Sequence, residues 1–256
     1  MTKVLFTLCG RAGSKGIAGK NSREFLGIPL VYYTLAAIDL ACCTQPELDY
    51  AIALNTDSTD LVQLMDDSGI EYLRVNRPSE LAGDHASKVD VIAYTLRIAE
   101  KTLECFFDCV VDLDITSPLR TVEDVQNVLV KRSVSRADTV FTVTSSRRNP
   151  CFNMVRKNDA GYYERAITSS FNSRQEAPTF YDMNASIYAY TPEFLRSGKQ
   201  IFEGTCDIVF MEDTAVLDLD NPDDFELMEV IATHLYSKKN AFGQVSQRAK
   251  AMKASE

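Results

Sequence analysis

Short apolar runs of strand-like composition alternate with segments of helical periodicity over the first 145 residues. The strand candidates are residues 4–8, 50–54, 70–75, 109–113 and 139–144. Apolar residues at helical spacing lie between them, at 30–41, at 58–68, after Ser87 and after Thr121. Because parallel strands need a long crossover, usually a helix, this order predicts an α/β fold with three layers, in which helices cover a mostly parallel, Rossmann-like sheet.

The alternation is interrupted between residues 149 and 184, where short apolar pieces surround a turn at 158–161. We interpret this segment as an excursion, either a β-hairpin-type arm that forms a dimer contact or a surface loop. Strands at 185–190 and 215–219 and a closing helix at 222–236 follow. We therefore expect one domain over residues 1–240, with 149–184 as the excursion, and a tail at 241–256 that is either helical or frayed.

Composition excludes several classes of protein. The chain of 256 residues has 36 acidic and 27 basic residues and a formal charge of -9, which disfavours nucleic acid as a partner. Its seven cysteines are odd in number and lack paired metal-ligand spacing, which favours reduced thiols. The sequence shows no leader pattern and no apolar run of about 20 residues, so we expect a cytoplasmic protein without a membrane partner.

A glycine-rich turn follows the first apolar run. Glycines 10, 13 and 16 allow the backbone to present N–H groups to an anion, and Arg11, Lys15 and Lys20 add cations. Such a turn suits a polyphosphate. A Walker A loop is disfavoured because Ser14 stands where that motif needs glycine, and the glycine spacing also differs from the dinucleotide fingerprint. An ordinary flexible turn with solvated charges is the alternative.

Three further polar loops follow predicted strands. Residues 55–57 either cap the next helix or face a nucleotide, and capping is favoured. Residues 77–87 are too long and too polar for a simple connector, and residues 112–120 begin with the alternating carboxylates Asp112 and Asp114. Because ligands of open parallel sheets bind beyond the carboxyl ends of strands, we expect these loops to share one site.

A second pair of alternating carboxylates, Asp218 and Asp220, lies on the last predicted strand. Side chains two apart on a strand point to the same face, and such a pair suits Mg²⁺ or Mn²⁺ together with phosphate oxygens. The alternative is a cluster of negative charge placed at the start of the closing helix, where the helix dipole favours it.

Five blocks, in order between about residues 3 and 235, together resemble the acylneuraminate cytidylyltransferase family, the CMP-sialic acid synthetases and their legionaminic and pseudaminic acid relatives. The blocks are Arg11-x-x-Ser14-Lys15-Gly16 with Lys20-Asn21, residues 77–84, Thr116-Ser-Pro-Leu-Arg120, Asn184-Ala-Ser-Ile-Tyr188 and Leu217-Asp-Leu-Asp220. The resemblance implies an enzyme, a nucleotidyltransferase that joins CTP and a nine-carbon 2-keto sugar acid to give a CMP-sugar and pyrophosphate. It also implies a homodimer formed through the excursion.

The resemblance assigns roles to particular residues. Catalysis and triphosphate binding would fall to Arg11, Lys15 and Lys20, with Asp218 and Asp220 as ligands of Mg²⁺ or Mn²⁺. The wider nucleotide site would include Gly10, Ser14, Asn21, Arg77, Ala86 and Ser87. The sugar pocket would include Asp114, Thr116, Arg174, Asn184 and Tyr188.

The sequence departs from the family pattern at three positions. Asp114 stands where the family usually has glutamine, Lys88 where a hydroxyl residue is usual, and Ala185 where glycine is usual. A carboxylate that faces an anionic sugar repels it unless the carboxylate meets an N–H group, a hydroxyl group or a cation. These departures favour a relative of sialic acid as the substrate.

Two other functions stay open at this stage. One is a cytidylyltransferase for an eight-carbon keto sugar acid, against which residues 116–120 argue. The other is a regulatory module that binds a nucleotide sugar without catalysis, against which the presence of both Asp218 and Asp220 argues. Pyrophosphate release separates these possibilities.

Overall fold

The computed structural model of the protein describes residues 2–13, 16–17, 19–83, 86–171, 175–216, 219 and 221–254. Its strands are, in chain order, β1 (Lys3–Gly10), β2 (Glu24–Phe25), β3 (Ile28–Pro29), β4 (Asp49–Thr56), β5 (Leu73–Asn76), β6 (Cys109–Leu113), β7 (Thr139–Ser145), β8 (Val155–Lys157), β9 (Tyr163–Arg165), β10 (Tyr181–Tyr190) and β11 (Cys206–Phe210). Its helices are α1 (Leu30–Cys43), α2 (Thr59–Asp67), α3 (Ser79–Ala82), α4 (Lys88–Leu103), α5 (Val122–Val134), α6 (Pro192–Arg196), α7 (Pro222–Lys238) and α8 (Asn240–Lys253).

The main sheet has the strand order β11-β7-β10-β6-β1-β4-β5. Strand β1 lies in its interior, next to the central strand β6, and runs parallel to both β4 and β6. Strand β10 runs antiparallel to its neighbours β6 and β7, whereas β11 is parallel to β7 and β5 to β4. The mostly parallel sheet expected from the sequence is confirmed. Its parallel strands β1, β4 and β6 end at one edge, which is where the predicted loops follow.

Helices cover both faces of this sheet, as the three-layer prediction requires. Phe6 and Leu8 of β1 belong to one buried cluster with side chains of α1, α2, α5, α7 and α8. Leu5 points to the other face and packs with Ile92 and Leu96 of α4. Over the part of the chain that the structure describes, no helix is both long enough and apolar enough to cross a bilayer.

The helix starts predicted from the sequence are fixed by capping residues. The hydroxyl group of Ser87 accepts a hydrogen bond from Val89 N at the start of α4. Thr121 and Asp124 form a capping box at α5, and Asn221 forms one at α7, where Pro222 occupies the first turn. These side chains satisfy N–H groups that a helix leaves unpaired at its start.

The prediction of a strand at 215–219 is wrong for the described residues of that range. A 3-10 helix spans Asp213–Val216, and the strand that extends the sheet is β11, which precedes it. Strand β11 pairs with β7 up to Phe210, after which Met211 N donates to the Val143 carbonyl and the pairing ends. Residues 206–210 include β-branched and aromatic residues that suit a strand. The apolar run at 215–219 is a comparable hydrophobic signal, but its described residues do not form a strand.

The segment after residue 238, for which the sequence left helix and frayed coil open, forms helix α8. Phe242, Val245 and Ala249 of α8 are buried in the same cluster as α1. This contact explains why α1 is apolar on nearly all sides, since even Tyr32 and Tyr33 are at most 1% exposed.

The excursion contains a two-stranded antiparallel hairpin of β8 and β9. The predicted turn is present between them, with Gly161 N donating to the Asn158 carbonyl and Gly161 at φ 86°. Every residue of both strands is exposed. The hairpin is therefore confirmed, whereas its role in a dimer stays a prediction.

Candidate active site

A cleft of about 330 Å³ lies at the carboxyl ends of the central strands. It is bounded by the loops after β1, β5 and β6 and by the start of α4. The predicted site residues that line it are Arg11, Lys20, Asn21, Arg77, Ala86, Asp114 and Thr116. The loops after β1, β5 and β6 thus meet at one cleft, as expected, whereas residues 55–57 do not line it.

Five predicted site residues lie outside the described residues. They are Ser14, Lys15, Arg174, Asp218 and Asp220. Their assigned roles therefore stay predictions.

The glycine loop after β1 is held from two sides. Asp57, which follows β4, accepts a hydrogen bond of 2.8 Å from Ala12 N. On the other side, the amide of Asn21 donates to the Arg11 carbonyl over 3.0 Å. These contacts hold the backbone of Arg11 and Ala12, at the start of the loop, in place.

Lys20 connects the glycine loop to the late acidic segment. Gly19, at φ 62°, turns the chain into a short 3-10 helix that begins at Lys20. Nζ of Lys20 donates a hydrogen bond of 2.8 Å to the carbonyl of Leu219, which is 1% exposed. Leu219 stands between Asp218 and Asp220 in the sequence. The backbone of Leu219 therefore lies beside Lys20.

The guanidinium group of Arg77 is fixed at the wall of the cleft. Its Nε donates to Asn55 Oδ1 over 2.8 Å, and a terminal nitrogen donates to the Asn55 carbonyl over 3.1 Å. Asn55 is buried and donates in turn to Thr95 on α4. The predicted capping role of residues 55–57 is wrong, because Ser58 caps α2 by accepting from Leu61 N.

Ala86 lines the cleft, whereas the side chain of Ser87 serves the helix that follows. Besides capping α4, the Ser87 hydroxyl donates to Gln200 Oε1 over 2.6 Å. Ser87 therefore holds the loop that presents Ala86. A direct contact between Ser87 and a nucleotide stays a prediction.

Asp114 contacts an N–H group, a hydroxyl group and a cation, which are the partners that a carboxylate needs in a site for an anionic sugar. Its Oδ1 accepts from the backbone N and the hydroxyl of Thr116, at 2.9 and 2.7 Å. Its Oδ2 accepts from Nζ of Lys88 over 2.9 Å. Burial alone raises the pKa of an aspartate, but the Lys88 ammonium and the Thr116 donors outweigh it, so the pKa of Asp114 lies well below its ordinary value.

Arg120 is a positioning residue of the same loop, and it is 1% exposed. It donates to the carbonyls of Asp114 and Ser186 over 2.9 and 2.7 Å, and to the hydroxyls of Ser186 and Thr34 over 3.1 and 3.3 Å. Burial lowers the pKa of its guanidinium to about 10. Arg120 thereby ties the loop after β6 to β10 and α1.

Strand β10 places its two predicted sugar residues differently. Tyr188 is 8% exposed, and Nζ of Lys88 lies 5.7 Å from its ring centroid, beside the cleft. The amide of Asn184 is buried, where its oxygen accepts from the hydroxyl of Thr142 over 2.7 Å and its nitrogen lies 3.2 Å from Met211 Sδ. The side chain of Asn184 thus contacts other residues of the sheet and does not line the cleft. Its contact with a sugar stays a prediction.

Ala185 lies in a strained position. Its φ is 51°, and the register of β10 against β7 shifts between Met183 and Tyr188. Left-handed backbone disfavours a side chain, so glycine would fit this bulge with less strain. Alanine in place of glycine at position 185 therefore strains the backbone of the bulge.

Cys9 also lines the cleft but is unsuited to act as a nucleophile. Burial and the nearby Asp112 carboxylate raise the pKa of its thiol well above the ordinary value. The thiol therefore stays protonated, and the reactive thiolate is not formed.

Sequence reasoning missed four residues that organise this site: Asn55, Asp57, Lys88 and Arg120. Arg120 belongs to one of the five sequence blocks and Lys88 departs from the family pattern, but neither pattern predicts the contacts that these side chains form. Asn55 and Asp57 were interpreted as capping residues because their types are common at helix starts. Their partners, Arg77 and Ala12, are distant in sequence, and local patterns do not reveal such pairs.

Comparisons with known proteins agree with this geometry. A family model described as cytidylyltransferase matches residues 8–233. The chain is 30% identical over 231 residues to the post-translational flagellin modification protein B of Campylobacter coli, covering 90% of this chain and 95% of that protein. It is 28% identical to a CMP-N,N'-diacetyllegionaminic acid synthase of Campylobacter jejuni, with the same coverage of both.

A solved structure supports the fold in the same way. A CMP:2-keto-3-deoxy-manno-octonic acid synthetase complexed with CTP superposes with a TM-score of 0.63, at 17% identity, over 91% of this chain and 99% of that one. This likeness confirms the Rossmann-like architecture. Because the family model matches residues 8–233, the chain belongs to the cytidylyltransferase family and is a nucleotidyltransferase.

Proposed function

We propose that this protein transfers CMP from CTP to the anomeric hydroxyl of a nine-carbon 2-keto sugar acid and releases pyrophosphate. The observation that carries the proposal is the hydrogen bond from Lys20 to the Leu219 carbonyl, because it joins the polyphosphate loop to the acidic segment. A triphosphate held by the first would lie within reach of the second.

The substrate class is supported by the name of a relative. A protein 28% identical over 231 residues is a CMP-N,N'-diacetyllegionaminic acid synthase, and the alignment covers 95% of it. We therefore place a legionaminic-type acid first among nine-carbon candidates, with sialic and pseudaminic acids as alternatives.

The reaction asks mainly for charge stabilisation. The anomeric oxygen forms a bond to the α-phosphorus, the bond from that phosphorus to the bridging oxygen of pyrophosphate breaks, and the proton of the hydroxyl group passes to solvent water. Negative charge on the phosphate oxygens would be met by Arg11, Lys15 and Lys20, and fixed cations of this kind are the main catalytic tool of such transfers. Asn21, Arg77 and the Ala86 backbone would hold the nucleoside.

We further propose Mg²⁺, with Mn²⁺ as a substitute, bound by Asp218 and Asp220. Carboxylate oxygens supplemented by phosphate oxygens are the donors that Mg²⁺ prefers, and the hydrogen bond from Lys20 to the carbonyl of Leu219, the residue between the two aspartates in the sequence, supports this proposal. Within the described residues, no group of three or more His, Cys, Asp or Glu side chains forms another metal site. When bound, the ion would supply charge neutralisation for the phosphate oxygens.

Pyrophosphate release tests this function. The purified protein is incubated with Mg²⁺, each of the four common nucleoside triphosphates, and a panel of N,N'-diacetyllegionaminic, N-acetylneuraminic, pseudaminic and eight-carbon keto sugar acids. We expect release with CTP and one or more nine-carbon acids. Release with the eight-carbon acid alone would show that the sugar class is wrong. Binding of CTP without release for any sugar would favour a regulatory module.

We propose a homodimer formed through the β8–β9 hairpin. Val155, Tyr162 and Tyr163 are 66%, 74% and 73% exposed, and a two-stranded hairpin with no buried face is marginally stable by itself. A second copy of the chain would cover these side chains. Sedimentation should show a dimer that Tyr163→Asp converts to a monomer, whereas Lys101→Asp, on the exposed end of α4, should leave it intact. A dimer unaffected by Tyr163→Asp would contradict this interface.

We propose the cytoplasm as the compartment in which the protein works. All seven cysteines are free, which suits a reducing environment. Fractionation of cells that produce the tagged protein tests this, and recovery outside the cytoplasmic fraction would contradict it.

A further inference from the structure

Three charged side chains meet at the β6 side of the cleft. Nζ of Lys88 lies 2.9 Å from Oδ2 of Asp112 and 2.9 Å from Oδ2 of Asp114. It also lies 5.7 Å from the ring centroid of Tyr188. Lys88 begins α4, whereas Asp112 and Asp114 belong to the end of β6 and the loop after it. One ammonium group therefore pairs with two carboxylates at the edge of the sheet, on this side of the cleft.

The three groups differ in their access to a ligand. The side chain of Asp112 is 0% exposed, and the Thr7 hydroxyl donates to its Oδ1 over 2.8 Å. The side chains of Lys88 and Asp114 are 36% and 28% exposed, and both line the cleft. A bound molecule would thus meet Lys88 and Asp114, while Asp112 acts on it only through its charge.

The hydrogen-bonding needs of Asp114 do not by themselves require a lysine. Thr116 already supplies two donors to Oδ1, from its backbone N and its hydroxyl. What Thr116 does not supply is a positive charge. Without Lys88, the partly exposed Asp114 and the buried Asp112 behind it would leave a net charge of about −2 at this side of the cleft, and with Lys88 the cluster carries about −1.

This balance matters because both proposed substrates are anions. A sugar carboxylate and a triphosphate are repelled by uncompensated carboxylates in a partly desolvated cleft. We propose that Lys88 is a specificity-determining residue of the sugar subsite, whose ammonium compensates Asp112 and Asp114 so that an anionic sugar acid binds beside them. Lys88 and Asp114 then act as one unit. The inference rests on the proposed function.

The test is a double-mutant cycle at these two positions. Lys88→Met removes the charge and keeps much of the apolar stem, Asp114→Asn removes one carboxylate and keeps an oxygen for Thr116, and the third variant combines both. Lys101→Met, on the exposed end of the same helix, is the matched control. KM and kcat for the sugar acid and for CTP are measured at low and high salt, and thermal unfolding checks that each variant folds.

We expect Lys88→Met to raise KM for the sugar acid at least tenfold, about 1.4 kcal/mol, and more than it raises KM for CTP. High salt should recover part of this loss, because it screens the repulsion. The combined variant should have a lower KM for the sugar acid than Lys88→Met alone by about threefold or more, since it removes the repelling charge. Lys101→Met should match the unaltered protein.

If the rises in KM for the sugar acid in the two single variants simply add in the combined variant and do not depend on salt, the proposed role of Lys88 is overturned. Lys88 would then act only through packing. A larger rise in KM for CTP than for the sugar would overturn the assignment to the sugar subsite. Activity of the unaltered protein tests the proposed function separately, because the inference is judged only from ratios among the variants. Should Lys88→Met fail to fold, Lys88→Gln together with its combination with Asp114→Asn repeats the cycle.

Discussion

Gly10 closes β1 at a point where there is no room for a side chain. A Cβ added there would lie 2.7 Å from Cδ2 of Leu61, 3.0 Å from Cδ1 of Ile115 and 3.3 Å from Cβ of Asn21. At Gly13, three residues later in the same loop, none of the described residues has a heavy atom within 4 Å of the equivalent position. Gly10→Ala and Gly13→Ala therefore form a matched pair, in which the same methyl group is added with and without a steric conflict.

The cost of Gly10→Ala follows from these distances. Overpacking a buried site by one methyl group costs about 1–3 kcal/mol, and we expect about 2 kcal/mol because both close atoms are the ends of aliphatic side chains. For a chain of this size that corresponds to a fall of about 4–8 °C in the melting temperature. The shift of Asn21 should also loosen its bond to the Arg11 carbonyl and raise KM for CTP.

Calorimetry and steady-state kinetics on both variants test this. Gly13→Ala should melt within about 1 °C of the unaltered protein, because its methyl group enters open space. An unchanged melting temperature for Gly10→Ala, or an equal loss for Gly13→Ala, would refute the steric reasoning.

Three further predictions concern the supports of the cleft. Arg120→Met should lower the free energy of unfolding in urea by about 2–4 kcal/mol, because the carbonyls of Asp114 and Ser186 each lose a charged donor; a change under about 0.5 kcal/mol would contradict this. Asp57→Ala should raise KM for CTP about tenfold with little change in melting temperature, since it removes the acceptor for Ala12 N in the exposed loop; unchanged kinetics would argue against that support. The pKa of Asp114 is lowered in the folded state, so its stabilising contribution is complete above its unfolded pKa and is lost as pH falls below about 4 toward the folded value. The melting temperature of the unaltered protein should therefore fall across this pH range, and it should fall less in Lys88→Met. Equal pH profiles for the two proteins would contradict the pairing of Lys88 with Asp114.

The sequence predicted the elements whose signals are local. Strand β6 coincides with the expected residues, and α4 and α5 begin directly after Ser87 and Thr121, because apolar periodicity and capping residues act within one element. The strand expected at 215–219 failed because an apolar run alone does not separate a strand from a short 3-10 helix. Helix α8 stayed undecided for a related reason: its burial depends on α1, some 200 residues earlier in the chain.

The site shows the same limit. Sequence motifs identified Arg11, Lys20 and Arg77 as residues of one cleft, because glycine spacing and strand-end position are local features. The partner of Lys88 was not predictable, since Asp112 and Asp114 come to it only through the pairing of β1 with β6 and the packing of α4 on that sheet. Lys88, which in the sequence is only a departure from the family pattern, pairs with both carboxylates in the fold.

The central claim is that the cationic glycine loop and the segment around Leu219 bind one metal-nucleotide complex. Electron paramagnetic resonance of Mn²⁺, titrated with and without CTP, tests it most directly. We predict that CTP tightens Mn²⁺ binding to the unaltered protein, that the combined Asp218→Asn and Asp220→Asn variant loses this tightening, and that Lys20→Met weakens it. Equally tight binding of Mn²⁺ with CTP in the variant that lacks both carboxylates would contradict the claim.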